Sequence, residues 1–148
     1  MKVEIWKLLL ICFLGAPAQL LAQESPGRFM IEAGLVGGSG DACPGQYVRV
    51  DGKVAGPVSL YGMVENYRCQ DLAGSANRIG ASVRLGRSGW IVRPELRSGL
   101  EYDGGDVSST FGASLLLGGR YGARVSVHFG NVSDDPITLF QLGGYLRF

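Results

Sequence analysis

The sequence predicts an all-β fold: an eight-stranded antiparallel up-and-down transmembrane β-barrel preceded by a cleaved signal peptide. Three observations carry that prediction. Between Arg28 and Phe148, eight segments alternate apolar and polar residues, the period of two that sends successive side chains to opposite faces of a strand. The breaks between segments are rich in Gly, Pro, Asn and Asp, which turn a chain for known conformational reasons. Glycine itself numbers 24 residues, about twice the usual share of roughly 7%. It is poorly suited to helix interiors and well suited to turns and to narrow interiors.

At 148 residues with a formal net charge of +1, the chain is long enough for one domain and has no bias toward nucleic acid. Lys2 and Lys7 precede an apolar run, Leu8 to Leu14, followed by small residues, the layout of a secretory signal peptide. The run is too short to span a bilayer as a helix, which takes ~20 apolar residues. Residues 1–22 are therefore read as the signal peptide with cleavage after Ala22, and Ala16-Pro17-Ala18 as the second choice. Residues 23–27 form a short lead, and 28–148 the barrel. Export to an oxidising compartment leaves Cys43 and Cys69 in the mature chain, read as a disulfide, with two free thiols as the alternative.

The strands follow in order. The first, Arg28 to Val36, sets Phe29, Ile31, Ala33 and Leu35 against Glu32. The second, near Gln46 to Val54, sends Val48 and Val50 one way and Tyr47, Arg49 and Asp51 the other. After Gly56-Pro57 the third, Val58 to Tyr67, opposes Val58, Leu60, Gly62 and Val64 to Ser59, Tyr61, Met63 and Glu65. A polar break from about Arg68 to Asn77 precedes the fourth, Arg78 to Gly86, with Ile79, Ala81, Val83 and Leu85 opposite Ser82 and Arg84. In the fifth, Trp90 to Glu101, the residues Trp90, Val92, Pro94 and Leu96 oppose Arg93, Glu95, Arg97 and Glu101. Pro94 lacks a ladder donor, so it is expected near the strand's start or at a bulge. The sixth, Ser109 to Gly118, turns Phe111, Ala113, Leu115 and Leu117 away from Gly112, Ser114 and Leu116. The seventh, Tyr121 to Phe129, opposes Val125 and Val127 to Arg124, Ser126 and His128. The eighth, Phe140 to Phe148, opposes Phe140, Leu142, Gly144, Leu146 and Phe148 to Gln141, Gly143, Tyr145 and Arg147. Longer breaks are expected after strands one, three, five and seven.

Magnitude decides which face meets lipid. An Arg or Lys facing mid-membrane lipid costs ~2–4 kcal/mol, so turning the fifth strand alone inside out approaches the whole ~5–15 kcal/mol stability of a domain. The ionic face points inward. A lipocalin-like soluble barrel, the alternative, would want an apolar interior. Eight strands enclose a space that side chains fill. The expected lumen network comprises Glu32, Arg49, Glu65, Arg84, Arg93, Glu95, Arg97, Glu101, Arg124 and Arg147, each charge paired so that none is stranded. A transport path is the competing use of the same residues. Asp41, Asp71, Asp103, Asp106, Asp134 and Asp135 fall in the breaks, as turn formers or as ligands for divalent cations shared with lipopolysaccharide. The chain has 1 His, so neither a histidine-based metal site nor a cofactor is expected.

The amphipathic last strand ending in Phe148 resembles the closing strand of bacterial outer-membrane β-barrels. The resemblance implies that it pairs with the first strand and that Phe140, Leu142, Leu146 and Phe148 form the signal read by the insertion machinery. The mature chain as a pattern is similar to the small barrels of the OmpA and OmpX type. That implies a Gram-negative outer membrane, contact with lipid and lipopolysaccharide, a monomer, and a non-enzymatic structural or surface-interaction role. The string HFGN from His128 to Asn131 resembles the His-x-Ser-Asn segment of outer-membrane lipid A deacylases. An acyl hydrolase centred on His128 is the implied alternative. Gly130 stands where that family has its nucleophilic Ser, and Ser133 lies in a loop.

Overall fold

The computed structural model describes residues 28–38, 44–69, 72–87, 90–132 and 135–148. They form eight strands: β1 (Phe29–Gly38), β2 (Gly45–Ala55), β3 (Val58–Cys69), β4 (Leu72–Arg84), β5 (Val92–Asp103), β6 (Asp106–Gly118), β7 (Tyr121–Val132) and β8 (Asp135–Arg147). Each pairs antiparallel with its sequence neighbours, and β1 pairs with β8 from Met30↔Arg147 to Gly38↔Leu139 to close the barrel. Beyond that ladder the Phe148 amide donates to the Phe29 carbonyl at 2.9 Å. Closure leaves no free edge around the paired girth of the barrel, so backbone groups are satisfied within the wall wherever both neighbours are laddered.

Alternation sets the faces. Val, Leu, Ile and Phe side chains such as Leu35, Leu60, Ile79, Val125 and Phe140 lie exposed on the outside. Glu32, Arg49, Glu95, Arg97 and Arg124 are buried inside.

Several strands outrun the bounds that polarity suggests. β3 to β8 are 12 or 13 residues long, more than the ~9–11 that a tilted strand needs to cross a bilayer. The polar break expected from Arg68 to Asn77 is instead the end of β3 and the start of β4, paired from Tyr67↔Gly74 to Cys69↔Leu72. Likewise β6 begins at Asp106 rather than Ser109, β7 continues past Phe129, and β8 begins at Asp135 rather than Phe140. The reason is that a ladder needs paired backbone groups and not apolar side chains: Asn66, Ser75, Asn77 and Ser109 continue it as exposed polar residues.

The expected rhythm of long breaks after strands one, three, five and seven holds after β1, where six residues precede β2, and fails after the other three. β3, β5 and β7 each stop two residues short of the next strand, while residues 85–91 separate β4 from β5. At the β5–β6 turn Gly104 and Gly105 have φ of +59° and +113°, the left-handed pair that a two-residue hairpin of this twist demands. The fifth strand begins at Val92, not Trp90, which puts Pro94 third in β5. The Leu85 amide donates to the Pro94 carbonyl at 2.8 Å. Because the N and O of one residue face the same antiparallel neighbour, the missing Pro94 donor falls opposite Leu85, just past the end of β4.

Inward tyrosines fill the space over inward glycines. A Cβ on Gly80 would collide with the Ser98 carbonyl and lie 2.9 Å from the Tyr61 ring, and one on Gly122 would lie 2.7 Å from the Tyr145 hydroxyl. Outward Gly62 has nothing within 4 Å of its absent Cβ. Gly80→Ala is accordingly expected to destabilise the barrel by about 1–3 kcal/mol through overpacking, and Gly62→Ala to change stability by less than about 0.5 kcal/mol. Urea midpoints in detergent micelles check the contrast.

Candidate functional site in the charged lumen

The barrel axis is lined by arginines and carboxylates from every strand but β6, brought together by inward parity alone. Glu95 of β5 is the centre, fully buried. Its Oε2 lies 3.0 Å from Arg84 Nε and 3.3 Å from Arg124 Nη2, and its Oε1 lies 3.2 Å from Arg49 Nη2. Arg49 also donates twice to Asp51, at 2.6 and 2.9 Å, and stacks 4.2 Å over the Tyr61 ring. Arg124 pairs with Glu32, which accepts a hydrogen bond from the Tyr47 hydroxyl. Three carboxylates are thus shared among three arginines. Mutual compensation is what makes buried charge tolerable, since an unpaired ion in low dielectric costs several kcal/mol.

A second group lies nearer the end where β3 meets β4. Arg78 bridges Glu65, at 2.6 Å, and Glu101. Gln141 connects this group to Arg97: its Oε1 accepts from Arg97 Nη2 at 3.0 Å and from His128 Nε2 at 2.8 Å, and its amide nitrogen lies 3.5 Å from Glu65. An amide oxygen only accepts, so His128 Nε2 carries the proton and donates it. His128 is inside the barrel and 2% exposed.

Of the lumen residues anticipated from sequence, Glu32, Arg49, Glu65, Arg93, Glu95, Arg97, Glu101, Arg124 and Arg147 are buried and Arg84 is partly exposed. Two charges belong with them that the anticipated network omits, Asp51 and Arg78. Asp51 shares the inward parity of Arg49, and that was the signal available for it. Arg78, which opens the fourth segment, shares the parity of Ser82 and Arg84, so the same signal was available for it. With both included, Arg49, Arg78, Arg84, Arg93, Arg97, Arg124 and Arg147 face Glu32, Asp51, Glu65, Glu95 and Glu101, so cations exceed anions.

The expectation that every charge is paired is not met among the described residues. Arg97 has the neutral Gln141 as its partner. Arg147 stacks 4.9 Å from the Tyr145 ring, and Arg93 reaches the Gly118 carbonyl at 3.5 Å. Arg93 and Arg147 lie near the open end beside the chain termini, where solvent can share the burden.

Elsewhere, Phe140, Leu142, Leu146 and Phe148 form the exposed outer face of β8 and its end. Asp103 accepts from the Tyr67 hydroxyl at 2.9 Å, and Asp106 is exposed across the same hairpin. Cys43 lies outside the described residues, as do residues 1–27, so the disulfide and the leader fall there too. Ser133, Asp41, Asp71 and Asp134 are outside them as well. No group of three or more His, Cys, Asp or Glu among the described residues is placed to hold a metal ion.

Glu95→Gln removes the charge that three arginines share, and a loss of about 3–5 kcal/mol is expected. Lys53→Gln, on a partly exposed surface residue, should stay within about 0.5 kcal/mol. Urea unfolding followed by β-sheet circular dichroism measures both.

By sequence the chain matches no protein-family model and none of the curated proteins. By structure it is similar to the N-terminal β-barrel domain of Pseudomonas aeruginosa OprF, with a TM-score of 0.71 at 16% identity over 81% of this chain and 96% of that one. A de novo designed transmembrane β-barrel aligns with a TM-score of 0.66 at 16% identity, covering 85% of this chain and 99% of the design. The Yersinia pestis outer membrane protein Ail, in a phospholipid bilayer nanodisc, aligns with a TM-score of 0.62 at 13% identity over 82% and 99%. At these identities the likeness is one of architecture. The chain has the eight-stranded fold of small outer-membrane β-barrels.

Proposed function

We propose that this protein is a small outer-membrane β-barrel with a side-chain-filled lumen, serving a non-enzymatic structural or surface-interaction role. The observation that carries the reading is the inverted polarity of the wall: the shared ion network around Glu95 inside, and exposed Val, Leu, Ile and Phe outside. Water on both sides would leave that apolar belt exposed far beyond the patches that soluble monomers carry. In this reading the outer face of β8 is what the insertion machinery engages during export. Outer-membrane lipid and lipopolysaccharide are then the barrel's surroundings, and the short hairpins at the Asp103 end are its contact surface.

The geometry gives the hydrolase alternative little to work with. A base acting on lipid would need an imidazole on the lipid face, whereas His128 points into the lumen with Nε2 committed to Gln141. A nucleophile is also wanting at Gly130. A solute pore would need a continuous aqueous path past Arg49, Arg124 and Glu95, whose side chains meet across the axis.

In planar bilayers the purified barrel is expected to give no discrete conductance steps, while migrating anomalously in mild detergent electrophoresis and shifting on boiling. Steady single-channel steps would overturn the closed-lumen role, and absence of a mobility shift would overturn the membrane barrel itself. Release of acyl chain from labelled lipid A, lost in His128→Ala, would replace the proposal with the hydrolase.

A further inference from the structure

The end of the barrel that gathers Phe29, Phe148 and the β2–β3, β4–β5 and β6–β7 turns carries a collar of basic side chains. Arg28, Arg87 and Arg120 are exposed there and Lys53 partly so. Among the described residues no Asp or Glu side chain is exposed at this end, since Asp51 and Glu95 are buried in the lumen. The opposite end is mixed, with Arg68 and Asp106 exposed and Asp103 partly so.

The collar is built from contiguous backbone. The Lys53 amide donates to the Arg28 carbonyl at 2.8 Å, and the Trp90 amide to the Arg87 carbonyl at 3.0 Å. The Gly118 amide donates to the Ile91 carbonyl at 2.8 Å, which sets the turn bearing Arg120 and Tyr121 beside the turn bearing Arg87 and Trp90. The Trp90 ring lies over Gly86, where an added Cβ would come within 2.6 Å of it. Trp90 and Tyr121 are nonetheless 52% and 77% exposed, at the edge of the apolar belt.

Indole and phenol rings with one apolar and one polar side settle at the level of lipid headgroups. Cations at that level are drawn to anionic headgroups. We infer that the collar of Arg28, Lys53, Arg87 and Arg120, with Trp90 and Tyr121 as its aromatic edge, binds anionic phospholipid headgroups of the adjoining leaflet in preference to zwitterionic ones. The occupant is a lipid and not an acidic protein because the collar continues the apolar belt, so one molecule can place acyl chains on the belt and its phosphate on the arginines. The inference rests on the membrane reading above.

Trp90 is a built-in reporter, and Trp6→Phe in the full chain leaves it as the sole indole. The protein is reconstituted in vesicles of phosphatidylcholine and phosphatidylglycerol in which one or the other lipid is brominated, and quenching of Trp90 gives the association constant of each. A preference for phosphatidylglycerol of about fivefold or more is expected, falling toward one in Arg87→Gln/Arg120→Gln and, in the unsubstituted collar, at high salt. Asp106→Asn, at the far end, should leave it unchanged. Equal quenching by the two lipids, or a preference untouched by both the double substitution and salt, would overturn the inference while leaving the membrane barrel intact. Absence of quenching by either lipid would overturn both. The salt series needs no substitution in the collar, so misfolding of the double variant does not remove the test.

Discussion

Glu95 holds Arg49, Arg84 and Arg124 from three other strands, and it reaches them only because Leu96 on the same strand turns the opposite way. Strand alternation and charge burial are one constraint in this wall. Each side chain has two possible destinations, and an arginine in hydrocarbon costs too much for the second to be used. Once β5 is oriented, pairing fixes its neighbours in turn. The Ser82↔Arg97 and Arg97↔Gly112 registers carry the same inward assignment to β4 and β6, and so around to closure at β1 and β8.

A lumen built this way is crowded, and crowding explains the glycines better than turns do. Long guanidinium side chains and tyrosine rings need room at the axis, and the wall opposite them is trimmed to hydrogen. Gly112 shows it plainly: a Cβ there would sit 3.0 Å from His128 Nδ1 and 3.1 Å from Arg97 Nε. The unusual glycine content and the unusual number of buried arginines are therefore two sides of one packing solution.

The inward and outward sets were legible in the sequence because period-two alternation needs no knowledge of partners. Arg93, Glu95 and Arg97 are inward on β5 for the same reason that Val92 and Leu96 are outward. What was not legible lies where polarity and backbone pairing part company. Ser75 and Asn77 read as loop because they are polar, yet their backbone groups are laddered like any others. Pairing by partner was likewise beyond a linear reading: that Arg78 takes both Glu65 and Glu101 depends on the register of β4 with β3 and β5, and that Arg97 ends on Gln141 depends on how β5 faces β8 across the lumen.

The two ends differ in charge, with exposed basic residues and no exposed acidic side chain among the described residues beside the chain termini, and both signs beside the opposite hairpins. Such a charge axis gives an inserted barrel a reason to sit one way up. The central claim, that hydrocarbon surrounds the outer face, is tested most directly by the unfolding free energy of Val125→Arg in lipid vesicles. Val125 is exposed midway along the outward row from Tyr121 to Phe129 on β7. A loss of about 2–4 kcal/mol is predicted for a midplane arginine, and a change within about 0.5 kcal/mol, the usual result at a water-facing position, would contradict the account.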